Sequence, residues 1–213
     1  MASPSFIKIT DVNCAEFKFS KTKQTAGRRF ISLFYNKQNL NVKLPKLRIP
    51  FDTKLSNFGQ LEVNFSLGDN SDLIKKIKEI DAKMLVYCEE MSWNSQECEY
   101  CPMLKVSKNN AYPPTVRIKI PIKNDTIEAD FFDSTGAELD IKDASGVSQL
   151  LTRGNYALSA IECLGVWFNS DKWGLSWKLV QLKTSENKKE VLEACAFDTD
   201  SDAESLDSLL IED

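Results

Sequence analysis

The chain has 213 residues, 42% of them apolar and 10% aromatic, enough for a sizeable core and more in keeping with one elaborated domain than with two. Its formal net charge is -4 and it contains no histidine, which excludes Ser-His and Cys-His nucleophile pairs and every histidine-containing metal site. Six cysteines are too sparse for a disulfide scaffold and read as reduced thiols.

The first residues, "MASPSFIKITDVNCAEFKFSKTK", lack the charged and then apolar layout of a secretory signal. No run approaches the about 18 apolar residues of a membrane span. An unsecreted protein with no membrane contact is expected. Between Glu16 and Asp52 lie nine basic residues and no carboxylate: Lys18, Lys21, Lys23, Arg28, Arg29, Lys37, Lys43, Lys46 and Arg48. Inside this block "ISLFYNKQNLNVKL" alternates in two runs, with Leu40, Val42 and Leu44 on one face and Asn41 and Lys43 on the other, the period of a half-buried strand. "LEVNFSL" repeats the pattern with Leu61, Val63, Phe65 and Leu67.

A helix follows. In "NSDLIKKIKEIDAKMLVYCEEM" the residues Leu73, Ile77, Ile80, Met84 and Cys88 recur at helical spacing, lysines fill the outer face, and Ser71 or Asp72 is the expected N-cap. Residues 89–114 read as a long aromatic loop carrying Trp93, Tyr100 and Tyr112. Its Cys98 and Cys101 form a C-x-x-C, which fits half a zinc site with Cys88 and one more thiol, a redox pair, or plain loop thiols. Zinc normally needs a second ligand pair at matching spacing, so neither metal nor cofactor is expected.

The next strand, "TVRIKIPIK", turns Val116, Ile118, Ile120 and Ile122 inward and Arg117, Lys119 and Lys123 outward, within a second stretch, between Glu99 and Asp125, that lacks carboxylates. Residues 124–156 form an acidic excursion with turn signals "DSTG" and "DASG". Trp167 and Trp177 lie in strand patterns and belong to the core. Trp173, in "NSDKWG" beside Lys172, reads as an exposed turn residue between two strands. The last strand, "WGLSWKLVQLK", is entered through Gly174, with Leu175, Trp177 and Leu179 on one side and Lys178 on the other. From Glu190 to Asp213 there are nine acidic residues and no basic one, so residues 1–189 hold 27 basic against 22 acidic, a net of +5.

The order strand, strand, strand, helix, strand, strand predicts a mainly β chain with an OB-fold barrel, a helix after the third strand, and long loop insertions. Residues 1–184 are the expected domain, and residues 185–213 an acidic, disordered C-terminal tail. Cationic strand faces and exposed rings are what grips a single nucleic-acid strand, lysine and arginine tracking phosphates and aromatics stacking on bases. The candidate DNA contacts are Arg28, Arg29, Lys43, Lys46, Arg48, Arg117, Lys119, Lys123, Lys172 and Lys178, with Trp93, Tyr100 and Trp173 as stacking rings.

"NLNVKLPKLRIPFDTKLSNFG", "AYPPTVRIKIP" and "GVWFNSDKWGLSWKLVQ" resemble the replicative single-stranded DNA-binding proteins of podophages and their counterparts in nucleocytoplasmic large DNA viruses, over roughly residues 30–183. The matching positions are Leu44, Pro45, Pro50, Phe51 and Gly59, then Tyr112, Pro113 and Pro114, then Gly165, Trp167, Trp173, Gly174, Trp177, Lys178 and Gln181. The resemblance implies an OB-fold body that coats and protects single strands during viral DNA replication, recombination and repair. It also implies a tail that recruits the viral DNA polymerase and helicase/primase, in the cytoplasm (a viral replication factory) or the nucleus of a host cell.

The tail residues concerned are Asp198, Asp200, Asp202, Glu204, Leu206, Asp207, Leu209, Leu210, Glu212 and Asp213. As a polyanion this segment is expected to compete with DNA for the cationic surface, and its clustered leucines suit a partner's groove. The phage relatives end in an aromatic residue, whereas this chain ends in Ile211, Glu212 and Asp213 and has Phe197 as its sole tail aromatic. A homodimer is left open. The competing reading is a non-enzymatic viral interaction or scaffolding protein that uses the tail and the 89–114 loop; no phosphate-binding glycine loop or other enzyme signature is present.

Overall fold

Alternating apolar and polar residues account for the longer strands of the chain. The structure, a computed structural model, describes residues 5–25, 28–56, 59–93 and 98–185. In chain order the first strands are β1 (Ile7–Lys8), β2 (Phe17–Phe19), β3 (Lys23–Thr25), β4 (Arg28–Tyr35), β5 (Gln38–Arg48) and β6 (Leu61–Ser66), followed by helix α1 (Ser71–Glu90). Then come β7 (Glu99–Cys101), β8 (Leu104–Lys105), β9 (Thr115–Ile120), β10 (Ile122–Lys123), β11 (Thr126–Ile127), β12 (Asp130–Phe132) and β13 (Glu138–Leu139). Helix α2 (Ala144–Leu150) precedes two long strands, β14 (Tyr156–Phe168) and β15 (Lys172–Ser185). The chain is thus mainly β. The acidic segment from Glu190 onward lies outside the described residues.

Five strands pair in a circuit. β14 is antiparallel to β5 and to β15, β6 is antiparallel to β9, and single bridges join β5 to β6 at Arg48 and Ser66 and β9 to β15 at Lys119 and Lys178. Inward residues of these strands, among them Val63, Phe65, Val116, Ile118, Ile161 and Leu179, are fully buried. Such alternation is what a sheet with one face on a core requires. Between β6 and β9 the chain forms α1, whose Leu73, Ile77, Ile80, Met84 and Cys88 make the buried stripe that their spacing predicts. Its N-cap is Asn70, not Ser71 or Asp72: the Asn70 side chain accepts from the Leu73 N–H at 3.1 Å, which places both following residues in the first turn.

The two expected excursions are partly ordered onto the sheet. β7 runs parallel to β15, pairing Glu99, Tyr100 and Cys101 with Lys172, Trp173 and Gly174, so the 89–114 segment is not wholly loop. In the acidic excursion, β12 adds to β15 in parallel and β13 pairs with β12. Gly165 explains how β14 serves two neighbours. It has φ +135, sits at a register shift, and faces the Ile31 backbone so closely that a Cβ would overlap the Ile31 carbonyl oxygen. Only glycine permits that approach and that φ.

Candidate nucleic-acid interface

The expected contacts separate into three groups once folded. The first is internal. Trp173, expected in an exposed turn, is 2% exposed. The turn is shorter than expected because the Asn169 side chain accepts from the Asp171 and Lys172 N–H groups at 3.0 and 2.6 Å. β15 therefore begins at Lys172, and alternation turns Trp173 inward. Its ring stacks on Phe168 (centroids 5.6 Å apart, 13° between planes) and meets Tyr100 at 4.5 Å. The Arg29 guanidinium lies 4.5 Å from the Phe168 ring centre, completing a cation and ring column of the kind cation–π attraction favours. Tyr100 donates its hydroxyl to Asp81 Oδ1 at 2.6 Å; burial first, and then the Asp81 carboxylate, push the phenol well above its ordinary range. Trp93 is half-buried and makes a T-shaped contact with Phe19, ring centres 4.7 Å apart. The three rings singled out as base-stackers are packed within the protein. Trp177 is buried, as expected, and Trp167 is half-buried.

The second group is ion-paired. Arg117 meets Glu62 at 3.4 Å, Lys123 meets Glu128 at 3.6 Å, Lys172 meets Glu99 at 3.1 Å and Lys178 meets Glu162 at 3.1 Å. A hydrogen bond from Lys172 to Glu99, together with the Glu99 charge, raises the Lys172 pKa. These cations are unopposed along the chain and opposed across strands, because register sets Glu162 beside Lys178. Lys119 is exposed and lies opposite Glu62 in register. Arg28 begins β4, and its side chain lies outside the described ones.

The third group makes a site. Lys43, Lys46 and Arg48 are exposed along β5. Across the outward face, Lys43 aligns with Ala160 and then Gln181, Arg48 aligns with Tyr156, and Leu158 aligns with Lys183 and then Phe132. One face spanning β5, β14, β15 and β12 thus carries apolar Phe132, Leu158, Ala160 and Tyr156 between cations. A shallow groove of ≈ 320 Å³ runs here, lined by Lys43, Phe132, Leu158 and Lys183 among others. Lys46 Nζ lies 5.3 Å from the Tyr156 ring centre. Asp130, at the groove's edge, accepts from Gln181 Nε2 at 3.1 Å. Among the described residues, none of Lys43, Arg48 and Lys183 forms an ion pair. Such cations can meet an anionic backbone while the rings and Leu158 take flat apolar faces.

Phe132, Tyr156, Leu158 and Lys183 are not among the candidate contacts that residue order suggests. The available signal was Leu158, an apolar residue at an outward position of a strand and 41% exposed. The cysteine motif builds nothing comparable: the Cys98 thiol points to the carbonyl oxygens of Asn169 and Ser170 at 3.8 and 3.6 Å. Among the described residues no cluster of three His, Cys, Asp or Glu side chains could hold a metal.

No protein-family model and no curated protein matches the chain. Solved structures do. The single-stranded DNA-binding protein from bacteriophage Enc34 aligns over 80% of this chain and 90% of its own, with 11% identity and a TM-score of 0.50. The same phage protein in complex with ssDNA aligns over 81% and 97%, with 10% identity and a TM-score of 0.49. Gp2.5, the single-stranded DNA-binding protein encoded by bacteriophage T7, aligns over 68% and 91%, with 11% identity and a TM-score of 0.46. At 11% identity the likeness to the Enc34 protein is one of fold.

Proposed function

We propose that this chain binds single-stranded DNA without catalysing a reaction, on the face formed by β5, β14, β15 and β12. The observation that carries the reading is the conjunction of Lys43, Arg48 and Lys183, none of them ion-paired among the described residues, with the solvent-facing strip of Phe132, Leu158 and Tyr156. The fold shared with the Enc34 protein supports it. So does the five-strand circuit, in which α1 lies between the second and third strands, one strand earlier than residue order predicts, and the short α2 between the third and fourth, where an OB-fold carries its helix; members of that fold bind oligonucleotides. Residues 1–184 are then the binding domain. In titrations of a labelled unstructured oligonucleotide, log affinity should fall with log salt at about -0.7 per phosphate contact. Preference for duplex, or affinity independent of salt, refutes the proposal.

The acidic residues 198–213 fit a second role in the same reading. Supported by their charge and clustered leucines, they compete with DNA for the basic face and recruit the enzymes of viral replication, polymerase and helicase/primase, inside a host cell. Deleting them removes seven carboxylates and takes the net charge from -4 to +3. The truncated chain should bind single-stranded DNA more tightly at low salt, where screening is weakest. Equal affinity of both forms at low salt refutes the competition.

A further inference from the structure

A second hollow adjoins the groove. It has ≈ 370 Å³ and is lined by Lys46, Arg48, Tyr156 and Pro113 among others, with Asp69 also contributing a carboxylate. Tyr156 stands next to Leu158 on the outward face of β14, so the second hollow starts where the first ends. Beside Pro113 in the chain, Tyr112 is 74% exposed, the highest value among the large exposed apolar side chains of the described residues.

Its loop is held in place. The Tyr112 N–H donates to Ser107 Oγ at 3.3 Å, the Asn110 N–H to the Ser107 carbonyl at 3.0 Å, and the Leu67 N–H to the Pro114 carbonyl at 2.9 Å. Pro113 and Pro114 further restrict the backbone. The exposed ring is therefore carried on a fixed loop at the rim of a cationic hollow.

We propose that one single strand occupies both hollows in a continuous path, from Lys183 and Phe132 across Tyr156 to the 107–114 loop, and that Tyr112 stacks on a base at the far end of that path. This rests on the single-stranded DNA reading above and adds its course and its end. Charge complementarity selects the occupant: Lys43, Lys46, Arg48 and Lys183 accompany the path throughout, and flat rings recur along it at Phe132, Tyr156 and Tyr112.

The test compares Tyr112→Ala and Tyr156→Ala with the unaltered full chain, by fluorescence anisotropy, on labelled oligothymidylates of about four and about twelve nucleotides, which span the lower range of single-fold site sizes. Tyr112→Ala should weaken the longer oligonucleotide by about 5- to 150-fold and the shorter by less than about twofold, with Tyr112→Phe keeping the affinity of the unaltered chain because stacking needs the ring and not the hydroxyl. Tyr156→Ala should weaken both. Melting curves should coincide for Tyr112→Ala and the unaltered chain. If the unaltered protein binds both oligonucleotides while Tyr112→Ala changes neither, or changes both alike, the path is wrong and the binding reading stands. If the unaltered protein binds neither, both fall.

Discussion

Replacing Lys43, Arg48 and Lys183 together by alanine separates position from charge, because a control in which Arg117, Lys123 and Lys172 become alanine carries the same net charge. The three test cations lie on the groove face and form no ion pair among the described residues. The control cations are each within 3.6 Å of a glutamate oxygen. Removing one cation that neutralises a DNA phosphate should lower the salt slope by about 0.7. Three such cations make about 2, so over a fourfold rise in salt the unaltered protein should lose about 20-fold more affinity than the test variant does. The control should keep nearly the parent slope, since a cation already neutralised by a neighbouring carboxylate releases few counterions on meeting a phosphate. Exposed pairs contribute little to stability, so both variants should melt close to the parent. Salt titrations by anisotropy read the slopes directly. Equal slopes for the two variants, or a larger drop in the control, would refute the partition of cations drawn from the cross-strand register.

Three other outcomes follow from the core. Trp173→Ala should destabilise the fold by about 3–5 kcal/mol, the range for emptying a buried tryptophan site, as a lowered denaturation midpoint; a stable variant that has merely lost DNA affinity would return Trp173 to the surface. Asp81 accepts from the Tyr100 hydroxyl and from the Met103 and Leu104 N–H groups at 2.6, 2.9 and 3.3 Å, so Asp81→Ala should cost ~1–3 kcal/mol for each donor left orphaned in the interior, and an unchanged urea midpoint would contradict that. Burial pushes the Cys163 thiol from 9.0 up to about 12. The unfolded chain then loses this proton at lower pH than the folded one, so the thiol's contribution is complete below pH 9 and is lost as pH rises toward 12; Cys163→Ala should flatten the fall of Tm over that window, and an identical fall in both proteins would exclude the thiol as its source.

Much of the local structure could be read from residue order because burial is periodic. Val116, Ile118 and Ile120 against Arg117 and Lys119, or Leu73, Ile77, Ile80 and Met84 in α1, each define a face without knowledge of a partner. Short strands escaped that reading. β7 and β12 have three residues each, too few for a period, and exist because β15 offers them a backbone edge in parallel.

The site divides along the same line. Residue order by itself determined that Leu40, Val42 and Leu44 face inward and Lys43 outward, since two-residue alternation is a property of one strand; Lys46 and Arg48, which strict alternation would put on the side of Leu44, join Lys43 only because the β5–β14 register shifts between Leu44 and Leu47. Tertiary structure alone decided which cations keep their charge available. Glu162 lies well before Lys178 in the chain and 3.1 Å from it in space, and Phe132 reaches Lys183 only through the parallel pairing of β12 with β15. Trp173 was likewise settled by one side chain: Asn169 closes the turn early and sets the phase in which the indole enters the core. Charge neutralisation and ring exposure depend on neighbours across strands, and register between strands distant in the chain is fixed only when the whole sheet closes on its core.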